Sequence, residues 1–152
     1  MEKITSFCMD HDLLSEGMYL SQVQDNIMTY DIRMRVPNAG DYLDQKGLHT
    51  FEHLFATYAR NSKWANDIVY IGPMGCRTGF YFLTKDLLHR DAIKLAQDSM
   101  AFIANYQGEI PGAGKKECGN YLEHDLSSAK DMAQRMIPVL QGWNEEKLAY
   151  PV

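Results

Sequence analysis

The segment from Met28 to Val36 constrains the possible fold more than any other part of the chain. Its apolar and polar side chains alternate, and a period of two predicts a β-strand with one buried face, as in antiparallel sheets. The apolar set is Met28, Tyr30, Ile32, Met34 and Val36. The other face carries Arg33 and Arg35; solvent exposure is the simplest interpretation of that face, and we adopt it for Arg35. A PNAG sequence then breaks the strand.

A helix is predicted from Leu48 to Arg60, because apolar residues recur there at spacings of three and four. The other predicted elements are strands at 68–71 and 80–83, a helix over about 91–106, a loop at 108–120 and a last helix that starts near Ser127 or Ser128. Pro138 should end or kink that last helix. Strands and helices without regular β-α-β alternation predict an α+β fold, in which an antiparallel sheet packs against helices.

Length predicts the number of domains, and charge argues against some classes of binding partner. A chain of 152 residues is expected to form one domain over residues 1–152. A net charge of −5 without a long basic run argues against nucleic-acid and membrane-surface partners, which select clustered Lys and Arg. No segment has the ~20 apolar residues of a membrane span, and the N-terminus lacks the apolar stretch of a signal peptide. The cysteines Cys8, Cys76 and Cys118 do not form a disulfide framework, so a cytoplasmic location is expected.

His49, Glu52 and His53 bring metal-binding and acid–base side chains together. Residues three and four apart share one face of a helix, so the two imidazoles can bind one metal ion with the carboxylate beside them. Near a cation and partly buried, Glu52 could move protons to and from substrate carbons. Two plainer interpretations stay open: a polar helix edge that happens to carry two histidines, and a Glu52 that only orients an imidazole.

A catalytic metal site needs at least a third protein ligand, and Cys118 is the candidate. It lies in a loop rich in Gly and Lys that can reach a distant helix, and Lys115 and Lys116 would favour its thiolate. The alternative is an ordinary surface cysteine. His89 and His124 are interpreted as surface residues.

Cys76 follows Gly75 in a turn between two apolar strands. A thiol in such a turn can face a cleft and act as a general acid or base, and Arg77 would favour its thiolate. A buried structural cysteine fits the same pattern equally well.

Several motifs, in a fixed order along the chain, resemble the S-ribosylhomocysteine lyase (LuxS-type) family. They are SFCMDH at 6–11, YDIRMRVPN at 30–38, LHTFEHLFA at 48–56, GPMGCRTGFY at 72–81, IPGAGKKECGN at 110–120 and HDLSSAK at 124–130. The combination of PMGCxTG with LHTxEH is highly specific. The HxxEH motif alone also resembles the inverted zinc-protease signature.

This resemblance implies a metal-dependent lyase that cleaves the thioether of S-ribosylhomocysteine to homocysteine and 4,5-dihydroxy-2,3-pentanedione, the precursor of autoinducer-2. The reaction would proceed by carbonyl migration through enediolates and by β-elimination. The resemblance also implies a homodimer with active sites at the subunit interface. Each subunit would carry one divalent metal, Fe(II) in the native state, replaceable by zinc or cobalt.

The resemblance also assigns roles to individual residues by their motifs. It implies that His49, His53 and Cys118 are the metal ligands and that Glu52 and Cys76 are the acid–base pair. Arg33 would support the catalytic thiolate and the substrate, while Ser6 and His11 would bind substrate across the dimer interface.

The chain departs from the family pattern at Tyr70, where many members have Asp, and at Gly72, Cys8 and the Gly114-Lys115 pair. Two other functions stay open. An inverted-motif metalloprotease would need a distant acidic third ligand and a larger chain. A non-catalytic module would hold its metal in a closed site with four ligands.

Overall fold

Four antiparallel strands form one sheet in the computed structural model, which describes all 152 residues. The order across the sheet is β1-β2-β4-β3. In chain order, the elements are β1 (Gly17–Gln24), β2 (Ile27–Arg33), α1 (Gln45–Arg60), β3 (Ile68–Pro73), β4 (Gly79–Lys85), α2 (His89–Ala104) and α3 (Leu126–Leu140). The predicted α+β class, with an antiparallel sheet packed against helices, is therefore confirmed.

The hydrophobic core lies between one face of the sheet and the three helices. Phe51 of α1 packs on Phe80 of β4, with ring centroids 4.9 Å apart, and Phe55 packs on Phe82 at 5.5 Å. All four side chains are fully buried. Burying a side chain of this size stabilises the fold by about 1.5–3 kcal/mol. None of the helices combines the length and apolar character that crossing a membrane requires.

The predicted apolar face is confirmed at Tyr30 and Ile32 of β2 and at Met34 just beyond it, which are fully buried, but not at Val36, which is exposed. The expected exposure of the other face is wrong. Arg33 is 2% exposed and Arg35 is 6% exposed. Arg35 is buried because its guanidinium lies 3.4 Å from a carboxylate oxygen of Asp41 and donates a hydrogen bond to the Met34 carbonyl.

The ends of the helices differ from the prediction in ways that matter for the site. α1 begins at Gln45, earlier than predicted, because the Asp44 side chain accepts a hydrogen bond from the Gly47 N–H. α3 is capped by Asp125 rather than by a serine, and Pro138 lies inside the helix near its end. Strand β1 is missing from the prediction altogether.

Gly47 allows α1 to approach the start of α3 closely. A methyl group added at Gly47 would overlap the Ser128 hydroxyl oxygen and lie 2.7 Å from the end of the Met132 side chain. The absence of a side chain at Gly47 thus brings the histidine-bearing face of α1 next to the segment that precedes α3.

Candidate metal centre and adjoining groove

Four side chains converge at one point between α1 and the loop before α3. They are His49, His53, Cys118 and His124, and their ligand atoms all lie within 4.8 Å of one another. The Cys118 sulfur lies 3.5 Å from Nε2 of His49 and 3.7 Å from Nε2 of His124. The structure therefore brings together all three residues that the sequence suggested as ligands, and it adds a fourth.

Backbone carbonyl groups hold the two α1 histidines in a defined orientation. Nδ1 of His49 lies 2.8 Å from the Glu123 carbonyl oxygen, and Nδ1 of His53 lies 2.9 Å from the Pro111 carbonyl oxygen. A carbonyl oxygen can only accept, so each Nδ1 carries the proton and each Nε2 presents a lone pair to the cluster. A hydrogen bond from Nδ1 to a carbonyl oxygen fixes the ring so that Nε2 can bind a metal ion.

The interpretation of His124 as a surface residue is wrong. Its ring is partly buried and stacks on His49 with a centroid separation of 3.9 Å. Burial, together with the neighbouring His49 and His53, lowers the pKa of His124, so the ring is neutral at pH 7. The spacing of Cys118 and His124, six residues apart and directly before a helix, is the sequence signal that could have identified it.

His124 is held differently from the other two histidines. Its Nδ1 lies 2.9 Å from the Thr50 hydroxyl oxygen, which also accepts the Asp125 N–H. A hydroxyl can donate or accept, so this partner does not determine which nitrogen of His124 carries the proton. His124 can therefore act in the cluster either through a lone pair or through an N–H group.

The cluster fits a divalent transition metal. With bonds of about 2.0–2.3 Å, the ligand atoms of a tetrahedral site lie roughly 3.3–3.7 Å apart. The distances from the Cys118 sulfur to Nε2 of His49 and of His124 fall in this range, and the whole set of ligand atoms spreads to 4.8 Å. Imidazole and thiolate ligands suit zinc, Fe(II) and Co(II), whereas Mg²⁺ and Ca²⁺ prefer oxygen ligands.

A groove of about 630 Å³ opens beside the cluster. Its lining includes His49 and Glu52 of α1, the 73–75 segment and Arg77. Glu52 is partly buried. The groove therefore places a carboxylate next to the candidate metal ligands, and residues of the turn that carries Cys76 line the same groove.

The Cys76 sulfur does not itself line this groove. It is exposed and lies 3.0 Å from the Thr78 hydroxyl oxygen, on the side of the turn where Arg33 lies. The Arg77 guanidinium donates to the Leu43 carbonyl, so Arg33 rather than Arg77 is the buried cation linked to Cys76. A buried structural role for Cys76 is wrong, because the side chain is exposed.

Arg33 remains charged in spite of its burial. Burial by itself would lower its pKa, but the charge and hydrogen bonds of Asp31 outweigh that effect and raise the pKa of Arg33. Asp31 accepts hydrogen bonds from Nε and from one Nη of this guanidinium, at 3.1 and 2.6 Å.

Ser6 and His11 lie outside the groove within a single chain. Ser6 lies beside Tyr81 on β4. Nδ1 of His11 lies 3.3 Å from the Met9 carbonyl oxygen. The structure of one chain thus does not bring these two residues to Glu52.

Comparison with known proteins agrees with this geometry. Residues 4–147 match the S-ribosylhomocysteinase (LuxS) family profile. Among the relatives is an S-ribosylhomocysteine lyase of Phocaeicola vulgatus, which is 46% identical over 99% of this chain and 98% of its own length. Proteins of the same name from Porphyromonas gingivalis and Borreliella burgdorferi are 44% and 43% identical, with 99% of this chain covered in each case and 99% and 100% of theirs. The chain therefore belongs to the S-ribosylhomocysteinase (LuxS) family.

Proposed function

We propose that this protein is a metal-dependent S-ribosylhomocysteine lyase that releases homocysteine and 4,5-dihydroxy-2,3-pentanedione. One observation carries the proposal. The Cys118 sulfur comes within 3.5 Å of the inward-facing nitrogen of His49, and Glu52 lines the groove that opens beside them. Membership of the family and the names of the relatives support the same activity.

His49, His53 and Cys118 would hold one divalent ion per subunit, which we propose to be Fe(II), with zinc or cobalt as possible replacements. Such an ion would supply Lewis acidity for the oxygen atoms of the substrate. The tautomers of His49 and His53 suit them as ligands, and a thiolate completes the set of three. The Thr50 hydroxyl does not fix the tautomer of His124. We propose that His124 lies beside the ion without binding it, so that one coordination position stays free.

Glu52 and Cys76 would move the protons of the reaction. Once the sugar ring opens, the carbonyl group moves from C1 to C2 and then to C3. Each move takes a proton from one carbon and returns one to its neighbour through an enediolate. Removal of a proton from C4 then expels the homocysteine sulfur from C5. Each positioned acid–base group typically contributes ~10²–10⁴-fold to the rate.

We propose that the active form is a cytoplasmic homodimer. In one chain the groove is open, and Ser6 and His11 lie elsewhere. The N-terminal segment also exposes the apolar side chains of Ile4, Phe7 and Leu13. A partner that buries this segment would bring its Ser6 and His11 to the neighbouring groove. The cytoplasmic location fits three unpaired cysteines, which a reducing compartment preserves.

The fourth histidine favours one alternative, a non-catalytic module with a closed metal site. The metalloprotease alternative finds less support, because the cluster contains no carboxylate ligand. The test is anaerobic incubation of Fe(II)-loaded protein with S-ribosylhomocysteine, followed by titration of free thiol and mass spectrometry of the dione. We expect stoichiometric release of both products, and a loaded protein that releases neither would overturn the proposal.

A further inference from the structure

The C-terminal end of the chain is connected to Cys76 by hydrogen bonds. We propose that Tyr150 is a positioning residue for the acid–base thiol. In this proposal, which rests on the function proposed above, Tyr150 fixes Asp31, Asp31 fixes Arg33, and Arg33 directs the hydroxyl proton of Thr78 to the sulfur of Cys76. We call this series of contacts the Tyr150 relay.

The first contact joins the tail to the sheet. The Tyr150 hydroxyl donates to Oδ2 of Asp31 at 2.7 Å, and Asp31 is fully buried. The Tyr150 ring stacks on Tyr19 of β1, with centroids 5.1 Å apart and planes inclined by 21°. Burial raises the pKa of Tyr150, and the nearby Asp31 carboxylate raises it further. The hydroxyl therefore keeps its proton and remains a donor.

The second contact sets the orientation of the guanidinium. Asp31 and Arg33 are two residues apart on β2 and therefore lie on the same face of the sheet. Nε and Nη2 of Arg33 donate to the two oxygens of Asp31, at 3.1 and 2.6 Å. Because the guanidinium is rigid and planar, this pairing determines the direction of Nη1. Nη1 donates to the Thr78 hydroxyl oxygen at 2.7 Å.

The third contact reaches the thiol. The Thr78 oxygen accepts a hydrogen bond from Arg33, so its own O–H group is free to donate, and Cys76 Sγ lies 3.0 Å away. Thr78 is 2% exposed, so water does not compete readily for this proton. A hydroxyl directed at the sulfur favours the thiolate over the thiol. Asp31 offsets the charge of Arg33, which makes the hydroxyl the more direct influence on Cys76.

The test measures the thiolate of Cys76 without using turnover. Metal-loaded protein is alkylated with iodoacetamide over a range of pH, and the peptide that contains Cys76 is quantified by mass spectrometry. We expect Thr78→Val to lower the alkylation rate of Cys76 at neutral pH by roughly tenfold, the effect of losing one hydrogen bond to a charged group. Thr78→Ser, which keeps the hydroxyl, should restore the rate. An unchanged pH dependence in Thr78→Val would overturn the proposal.

Tyr150→Phe tests the far end of the relay, because it removes only the hydroxyl and keeps the ring on Tyr19. The matched control is Tyr19→Phe, whose hydroxyl donates to the Ser15 carbonyl and takes no part in the relay. We expect a lower alkylation rate of Cys76 in Tyr150→Phe and a wild-type rate in Tyr19→Phe. Equal rates in the two variants would overturn the role of Tyr150.

The kinetic readout separates positioning from substrate binding. Tyr150→Phe should lower kcat with little change in KM, because its hydroxyl contacts Asp31 rather than the groove. If wild-type protein shows no lyase activity while the alkylation differences appear, the relay stands and the proposed function fails. If lyase activity is present but Thr78→Val and Thr78→Ser alkylate alike, the proposed function stands and the relay fails.

Discussion

Nδ1 of His53 lies 2.9 Å from the carbonyl oxygen of Pro111, so a loop residue sets the orientation of a helical histidine. The next residue, Gly112, has a φ of +67°, and a methyl group added to it would lie 3.5 Å from the same His53 nitrogen. The loop conformation that offers this carbonyl therefore depends on a residue that tolerates a left-handed backbone.

We expect Gly112→Val to weaken metal binding by about 10–100-fold, because a strained loop no longer offers the Pro111 carbonyl to His53. Competition with a chelator of known affinity measures the change. The control is Gly40→Val, since Gly40 also has a positive φ, of +82°, but has nothing within 4 Å of an added methyl group. Equal affinities in the two variants would show that the loop does not hold His53.

Replacing the acid–base residues should separate metal binding from turnover. Glu52→Gln and Cys76→Ala should each keep the metal and lose activity by ~10²–10⁴-fold, because the ligand cluster contains neither side chain. Thiol release measures the activity, and elemental analysis measures the metal. The matched control is Cys8→Ala, a second exposed cysteine, which should keep its activity. Full activity in either test variant would remove that residue from the mechanism.

His49→Ala and His124→Ala should differ in metal content. We expect His49→Ala to lose the metal and the activity, because a carbonyl group holds its ring with Nε2 facing the cluster. His124→Ala should retain the metal, because three ligands remain. Elemental analysis after dialysis distinguishes the two. Loss of metal from His124→Ala would favour the closed, four-ligand site of a non-catalytic module.

Tyr30 should make the protein sensitive to alkaline pH. Burial raises the pKa of Tyr30 to about 12 from an ordinary value of 10. Above pH 10 the unfolded chain loses this proton while the folded chain keeps it. The contribution of Tyr30 to the free energy of unfolding is therefore complete below pH 10. It falls by roughly 2 kcal/mol as the pH rises to 12.

Urea unfolding at several alkaline pH values measures this loss of stability. The free energy of unfolding of Tyr30→Phe should fall less steeply between pH 10 and 12 than that of the wild type. Tyr121→Phe, at an exposed tyrosine, should retain the wild-type slope. A wild-type slope in Tyr30→Phe would contradict the prediction.

The sequence predicted the elements whose patterns are local. The apolar stripe of α1 and the alternation on β2 depend on neighbouring residues, so both elements were predicted, although α1 begins at Gln45 and β2 ends at Arg33. The Gly- and Lys-rich loop suggested Cys118 as the third ligand, the resemblance to a family implied the same, and the structure places its sulfur beside His49.

Local residue patterns could not predict features that depend on contacts between distant parts of the chain. Arg33 lies on the polar face of a strand, yet it is buried. Asp31 pairs with it, and Tyr150, from the other end of the chain, contacts Asp31. His124 is brought to the cluster by its contact with Thr50 and by the packing of α3 on α1. The strand pattern around Arg33 carries no signal for its contacts, and for His124 the only signal is its spacing from Cys118, directly before a helix.

The close approach of α1 and α3 at Gly47 links the packing of the helices to the assembly of the ligand cluster. His49 and His53 lie on α1, and His124 directly precedes the Asp125 cap of α3. The contact between these two helices therefore assembles both the core and the ligand cluster. An ion that binds only the assembled cluster would stabilise the assembled helices, so metal binding and packing of the helical layer would be coupled. Protein without the ion would then hold these helices less firmly and be cut more readily by proteases.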